Sequence, residues 1–212
     1  MIREVSMRGS EIVRQLMIYD GKETEGVGPI NLAEIVEEML PLLKVTLSKH
    51  AVLTSDLARD VPSIRAGAAQ LRQILMNLVT NASHAIGDRE GVIHVTTSWL
   101  RMEAESAQVS QTLPERDYLT LEVSDTGSGM SSETQGRVFD PFFTTKSVGR
   151  TLGLAVVSGI VRRLGGSIRL TSEVGKGTAF QILLPSVEPG SRENASALLS
   201  HLGECMKVAT WV

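Results

Sequence analysis

The chain has 212 residues, 42% hydrophobic and 21% charged, enough for one full domain with an accessory element or for two small domains. A formal net charge of −3 and a pI near 5.8 argue against nucleic acid as a partner, because that affinity rests on cationic contacts to phosphates. One cysteine, Cys205, excludes an internal disulfide and a cysteine-rich metal site, and no apolar run reaches the roughly 20 residues of a bilayer-spanning helix. The N-terminus lacks the apolar core of a signal peptide. The expectation is a soluble cytoplasmic chain with no direct membrane contact, although a longer parent could be anchored upstream.

In chain order, residues 1–19 read as an amphipathic helix, with Ile2, Val5, Ile12, Leu16 and Tyr19 at helical spacing. Residues 21–30 read as a polar, glycine-containing linker. Asn31 caps a second helix, with Glu34 three positions on as in a capping box, running to about Lys49 past a kink at Pro41. Residues 50–57 alternate like a short strand. The strongest helix spans residues 67–86, where Leu71, Ile74, Leu75, Leu78, Val79, Ala82 and Ile86 make one broad apolar face. Gln73, Asn77, Asn81 and His84 fall together on its flank. Strand-like runs follow at 91–102 and 118–124, joined by a surface excursion. A helix at 152–164 and strands at 167–171 and 178–184 complete the pattern, and 195–206 could form a short terminal helix. Helices with largely antiparallel strands predict an α+β fold: a two-layer α/β sandwich whose mixed, mostly antiparallel sheet is covered by helices on one face.

Four pieces carry the chemistry. Asn77 and Asn81, one turn apart beside an apolar face, waste helix propensity; their amide oxygens can converge on one hard cation, or they can simply be solvated. "DTGSGM", residues 125–130, ends a strand with a carboxylate able to accept from an exocyclic amine, followed by glycines that permit close approach of a ligand; an ordinary Asx turn is the bland reading. "KSVGRTLGLAVV", residues 146–157, sets Lys146 and Arg150 beside Gly149 and Gly153 at a helix start, where free amides attract anions; a plain cap would look the same. Between these loops lies "VFDPFFTTK", residues 138–146, with three of the chain's four phenylalanines. A segment pinned by aromatics between two binding loops can close over a ligand and exclude water; a small apolar cluster under a long loop is the alternative.

The order of the four pieces closely resembles the N, G1, F and G2 boxes of sensor histidine kinases, over about residues 31–185. That resemblance implies the Bergerat ATP-binding sandwich shared with gyrase-type ATPases and heat-shock chaperones, with ATP and Mg²⁺ as cofactors. It assigns Asn77 and Asn81 to catalysis and the Mg²⁺–phosphate region, Asn81 as the more direct ligand, with His84 near the phosphates. Asp125 would hold the adenine amino group, with Gly127 and Gly129 shaping the floor beneath it. Residues 139–151 would form the lid, and Lys146, Gly149, Arg150, Thr151, Leu152, Gly153 and Leu154 would contact the nucleotide. The lid string departs from the family pattern in one place: Thr151 stands where a second glycine is usual, which either strains the lid or caps the next helix.

Gyrase-type and chaperone ATPases carry a glutamate base where this chain has Asn77, and an amide is no base near neutral pH. Phosphoryl transfer is therefore favoured over hydrolysis. The acceptor in histidine kinases is a histidine followed by an acidic residue, whereas His50, His84, His94 and His201 are followed by alanine, alanine, valine and leucine. Residues 1–20 resemble only the second helix of the dimerisation and phosphoacceptor hairpin. The sequence thus predicts a catalytic domain at 31–185 followed by a tail or linker at 186–212. Its partners would be the phosphoacceptor helix of a homodimeric parent and a response regulator. A regulatory nucleotide-binding module without kinase activity, or an ATPase of the same superfamily, is the alternative.

Overall fold

The computed structural model describes residues 26–59, 61–102, 116–141, 143 and 153–187. The expected helices at 1–19 and 195–206 lie outside them. Four helices and seven strands follow in chain order among the described residues: β1 (Gly28–Ile30), α1 (Leu32–Thr46), β2 (Ala51–Leu57), β3 (Ile64–Ala66), α2 (Ala68–Ile86), β4 (Gly91–Met102), β5 (Arg116–Asp125), α3 (Ser132–Arg137), α4 (Gly153–Arg163), β6 (Ser167–Glu173) and β7 (Gly177–Pro185).

The main sheet has the order β2-β4-β5-β7-β6. Only the edge pair β2–β4 is parallel, from Ala51↔Gly91 to Leu57↔Thr97, and the remaining pairs are antiparallel. Alternation sends Ile93 and Val95 of β4, Leu119, Leu121 and Val123 of β5, and Phe180, Ile182 and Leu184 of β7 to one face. There they meet Val36 and Leu43 of α1, Leu71, Ile74, Leu75, Leu78 and Val79 of α2, and Val156, Val157 and Ile160 of α4 in a single core. The expected two-layer α+β sandwich is the fold observed.

Local chemistry sets the element ends. Asn31 caps α1, its Oδ1 accepting from the Ala33 N–H at 3.0 Å. Glu34 completes the cap differently from a capping box, since it accepts from the Asn31 side-chain Nδ2 at 3.2 Å. The helix passes through Pro41 and ends at Thr46, three residues short of the sequence reading, where the Thr46 hydroxyl turns back to donate to the Leu43 carbonyl at 2.8 Å. The Gly67 N–H ahead of α2 is taken up by Gln70 Oε1 at 3.2 Å, and α2 stops at Gly87, whose φ is 63°.

One boundary needs correction. The end of the expected linker at 21–30 is strand β1, which pairs antiparallel with β3 from Gly28↔Ala66 to Ile30↔Ile64. Ser186 and Val187 are tied in beside it by an Ile64↔Ser186 bridge and a 2.8 Å bond from the Val187 N–H to the Ser63 carbonyl. Three-residue strands are too short to show an alternating pattern, so composition alone placed β1 in the linker.

Candidate nucleotide site

Asp125 ends β5 between β4 and β7, opposite Ile93 and Thr178. Its carboxylate is nearly buried, 9% exposed, and Oδ1 accepts from the Gly127 N–H at 2.7 Å. Burial is the larger influence and raises its pKa above the ordinary aspartate value; the main-chain N–H groups of Gly127 and Thr178 act the other way. A desolvated carboxylate fixed by backbone donors is well suited to recognise one further donor, such as an exocyclic amine.

The glycines of this loop make room for other parts of the protein. A Cβ on Gly127 would stand 2.6 Å from the Ala85 carbonyl carbon, and Gly129, at φ 63°, would overlap the Glu173 carbonyl oxygen. The loop consequently docks on two supports. On one side the Ser128 N–H donates to the Ala85 carbonyl at 3.0 Å, joining the carboxylate to the end of the asparagine-bearing helix α2. On the other, the Gly175 N–H donates to the Ser128 carbonyl at 2.8 Å and the Met130 N–H to Ser172 Oγ at 2.9 Å. Gln135 Nε2, on α3, closes the arrangement by donating to the carbonyls of Met130 and Ser172, each at 3.0 Å.

Sequence reading missed this second support. The turn "GKGT", residues 175–178, belongs to the site: the Thr178 N–H reaches the Asp125 carboxylate, and Gly177, at φ 118°, packs so tightly that a Cβ would overlap the Asp125 carbonyl oxygen. The signal was visible as two glycines around one residue in a hairpin. By itself such a pair looks the same as ordinary turn chemistry.

Asn77 and Asn81 are half-buried on one flank of α2, facing the start of α4. Asn77 Nδ2 donates to the Gly153 carbonyl at 3.1 Å, and Asn77 Oδ1 accepts from Gln73 Nε2 at 3.1 Å. Among the described residues nothing bonds the Asn81 amide. His84 lies exposed in the last turn of α2. Gly153 opens α4, and Leu154 packs against the core. Lys146, Gly149, Arg150, Thr151 and Leu152 lie outside the described residues, as does the effect of threonine at 151.

The flank of the expected lid divides its aromatics. Phe139 packs on the core with its ring edge-to-face against Phe180, centroids 6.2 Å apart. Phe143 sits under the Arg137 guanidinium at 4.7 Å. One phenylalanine thus anchors the segment in the core and another lies against α3.

Titration of Asp125 gives a prediction with opposite signs for stability and binding. Its folded-state pKa is raised, so from about the ordinary aspartate value of 3.8 upward the folded chain holds the proton longer than the unfolded one. Stability from this group falls as pH rises through that window. Adenine affinity should rise over the same window, because the ionised carboxylate is the stronger acceptor. Unfolding titrations and ADP calorimetry on the protein and on Asp125→Asn, which has no proton to lose there, should differ from each other along both trends, the remaining carboxylates and the ligand titrating alike in the two.

Residues 66–188 match the model of the histidine kinase-, DNA gyrase B-, and HSP90-like ATPases, and the chain belongs to that family. Its relatives within the family are sensor histidine kinases, and the matched region is their ATP-binding catalytic domain. It is 36% identical over 186 residues to the sensor kinase CckA of Brucella abortus (strain 2308), covering 87% of this chain and 20% of that protein. It is 32% identical over 193 residues to the sensory histidine kinase/phosphatase NtrB of Rhizobium leguminosarum bv. phaseoli, covering 89% and 49%. The chain therefore spans a fifth to about half of these two relatives. Among solved structures, the catalytic domain of the histidine kinase ThkA aligns with a TM-score of 0.60 at 25% identity, over 76% of this chain and 95% of that one. Among the described residues no helix is long and apolar enough to cross a membrane.

Proposed function

We propose that this chain binds ATP with Mg²⁺ and transfers the γ-phosphoryl group to a histidine on the phosphoacceptor helix of its parent kinase, from which a response regulator takes it. The observation that carries the reading is the joint support of its two halves. The loop that fixes the buried Asp125 carboxylate is docked on the end of α2, the helix that carries Asn77 and Asn81. In this reading Asp125 accepts from the adenine amine, and α4 turns its first free N–H groups toward the phosphates. The acceptor imidazole nitrogen attacks the γ-phosphorus, the bond to the β–γ bridging oxygen breaks, and ADP leaves.

The residues present fit a magnesium ion that arrives with the nucleotide. Among the described residues no cluster of three or more His, Cys, Asp or Glu could cage a metal, and none of them bonds the oxygen of the half-buried Asn81 amide. Mg²⁺ is commonly held in that way, by one or two protein ligands, phosphates and water. When bound it neutralises phosphate charge. The parent is proposed to be a homodimer whose catalytic domain faces the cytoplasm, supported by the apolar stripe of residues 2–16 and by the single cysteine.

Calorimetry with ATP and GTP tests the adenine assignment. ATP should bind at least tenfold more tightly, since the guanine 6-oxo group meets the Asp125 carboxylate as acceptor against acceptor; equal affinity would remove the assignment. Asn81→Ala should abolish the gain in affinity that Mg²⁺ brings while leaving metal-free binding in place.

A further inference from the structure

We infer that Asn77 is a tether, not a metal ligand: it fixes the first turn of α4 against α2 and leaves Asn81 alone to face the cation. The inference rests on the nucleotide-binding reading and gives Asn77 a role of its own beside Asn81. Asn77 is engaged by protein at both ends of its carboxamide, Nδ2 donating to the Gly153 carbonyl and Oδ1 accepting from Gln73 Nε2, each at 3.1 Å. A carbonyl can only accept, so the amide nitrogen has to be the end that faces Gly153. That fixes the orientation and turns Oδ1 toward Gln73, one turn back on the same flank. Asn81, one turn onward, has no such bond among the described residues. A Cβ on Gly153 would lie 3.7 Å from Asn77 Cγ and 3.9 Å from Asn81 Nδ2, so the start of α4 rests directly against both side chains.

Two consequences follow. The free N–H groups of α4 can address phosphates only if the helix start is held in place, and the Asn77–Gly153 bond joins it to the helix that carries Asn81. The same bond also selects against a carboxylate. Aspartate at position 77 would set a negative oxygen against the Gly153 carbonyl and lose the bond that holds α4.

The test compares the protein with Asn77→Ala, Asn77→Asp and Gln73→Met by calorimetry of ADP in excess Mg²⁺ and in EDTA. Amide hydrogen exchange at residues 157–159 of α4 is read without nucleotide. A tether predicts that Asn77→Ala loses about tenfold in affinity under both conditions, keeps the Mg²⁺-dependent gain, and speeds exchange at the start of α4. Asn77→Asp should behave the same way or worse, and Gln73→Met, which spares the bond to Gly153, should show a smaller loss of the same kind. A metal ligand predicts the reverse. Asn77→Ala would lose the Mg²⁺ gain with metal-free affinity and exchange unchanged, and Asn77→Asp would bind MgADP more tightly; either result overturns the inference. Exchange needs no ligand, so it tests the tether even if the unmodified chain binds no nucleotide, an outcome that would instead remove the functional reading.

Discussion

Asp125→Ala is expected to lose most adenine nucleotide affinity while the fold survives. Removing the acceptor of a buried adenine amine costs about 1–3 kcal/mol, roughly five- to 150-fold in affinity. The structure adds a second contribution, because the same substitution strips the partner from the Gly127 and Thr178 N–H groups. The two can be separated with Asp125→Asn. Asparagine keeps an oxygen for Gly127 but turns a donor toward the base, so ATP affinity should fall with little change in unfolding midpoint, and GTP should lose its disadvantage. An alanine variant that binds ATP normally would place the adenine elsewhere.

The second large effect is expected at Gly177. Its φ of 118° is one that residues with a Cβ rarely adopt, and a methyl group there would overlap the Asp125 carbonyl oxygen. Strain and overlap together should destabilise Gly177→Ala by about 3–5 kcal/mol, read from denaturant unfolding. Nucleotide binding should fall along with it, because the turn that bears Gly177 also presents the Thr178 N–H to Asp125. Gly136→Ala is the matched control: it sits in α3 with open space around it, so it should leave binding unchanged and, if anything, raise stability slightly. Equal stability of the two variants would show that the β6–β7 turn yields far more easily than its packing indicates.

These two cases show where sequence reading reached and where it stopped. Asp125 was legible because a carboxylate followed by two glycines at a strand end is a local pattern. The order of the four boxes then fixed the family and the two-layer fold. The role of the glycines was not legible: Gly127 and Gly129 abut Ala85 and Glu173, which lie far from them in sequence and come near only through the tertiary fold. Gly177 is the same case. Long periodic elements were read with little error, α2 and β4 most closely, since 19- and 12-residue runs carry several repeats of their period. β1, β3 and the six-residue α3 carry less than two repeats each and left no pattern to read, although Ser131, which caps α3 by accepting from the Thr134 N–H at 3.3 Å, was a usable start signal. The parallel pairing of β2 with β4 is a property of the assembled sheet, not of either strand. The bond that holds Asn77 reaches the Gly153 carbonyl, 76 residues further along the chain, and no local pattern announces it.

With no base at position 77, the domain is proposed to deliver a phosphoryl group to a histidine instead of to water. The direct measurement incubates the chain with γ-labelled ATP, Mg²⁺ and a separately supplied phosphoacceptor hairpin, from its own parent kinase or from CckA. Label on the hairpin and free phosphate are both followed in time. Acid-labile, alkali-stable label is expected on the hairpin histidine, much less of it with Asp125→Ala at limiting ATP, and almost no phosphate release when the hairpin is left out. Steady phosphate release without the hairpin, or an unlabelled hairpin beside a chain that binds ATP, would contradict delivery to histidine.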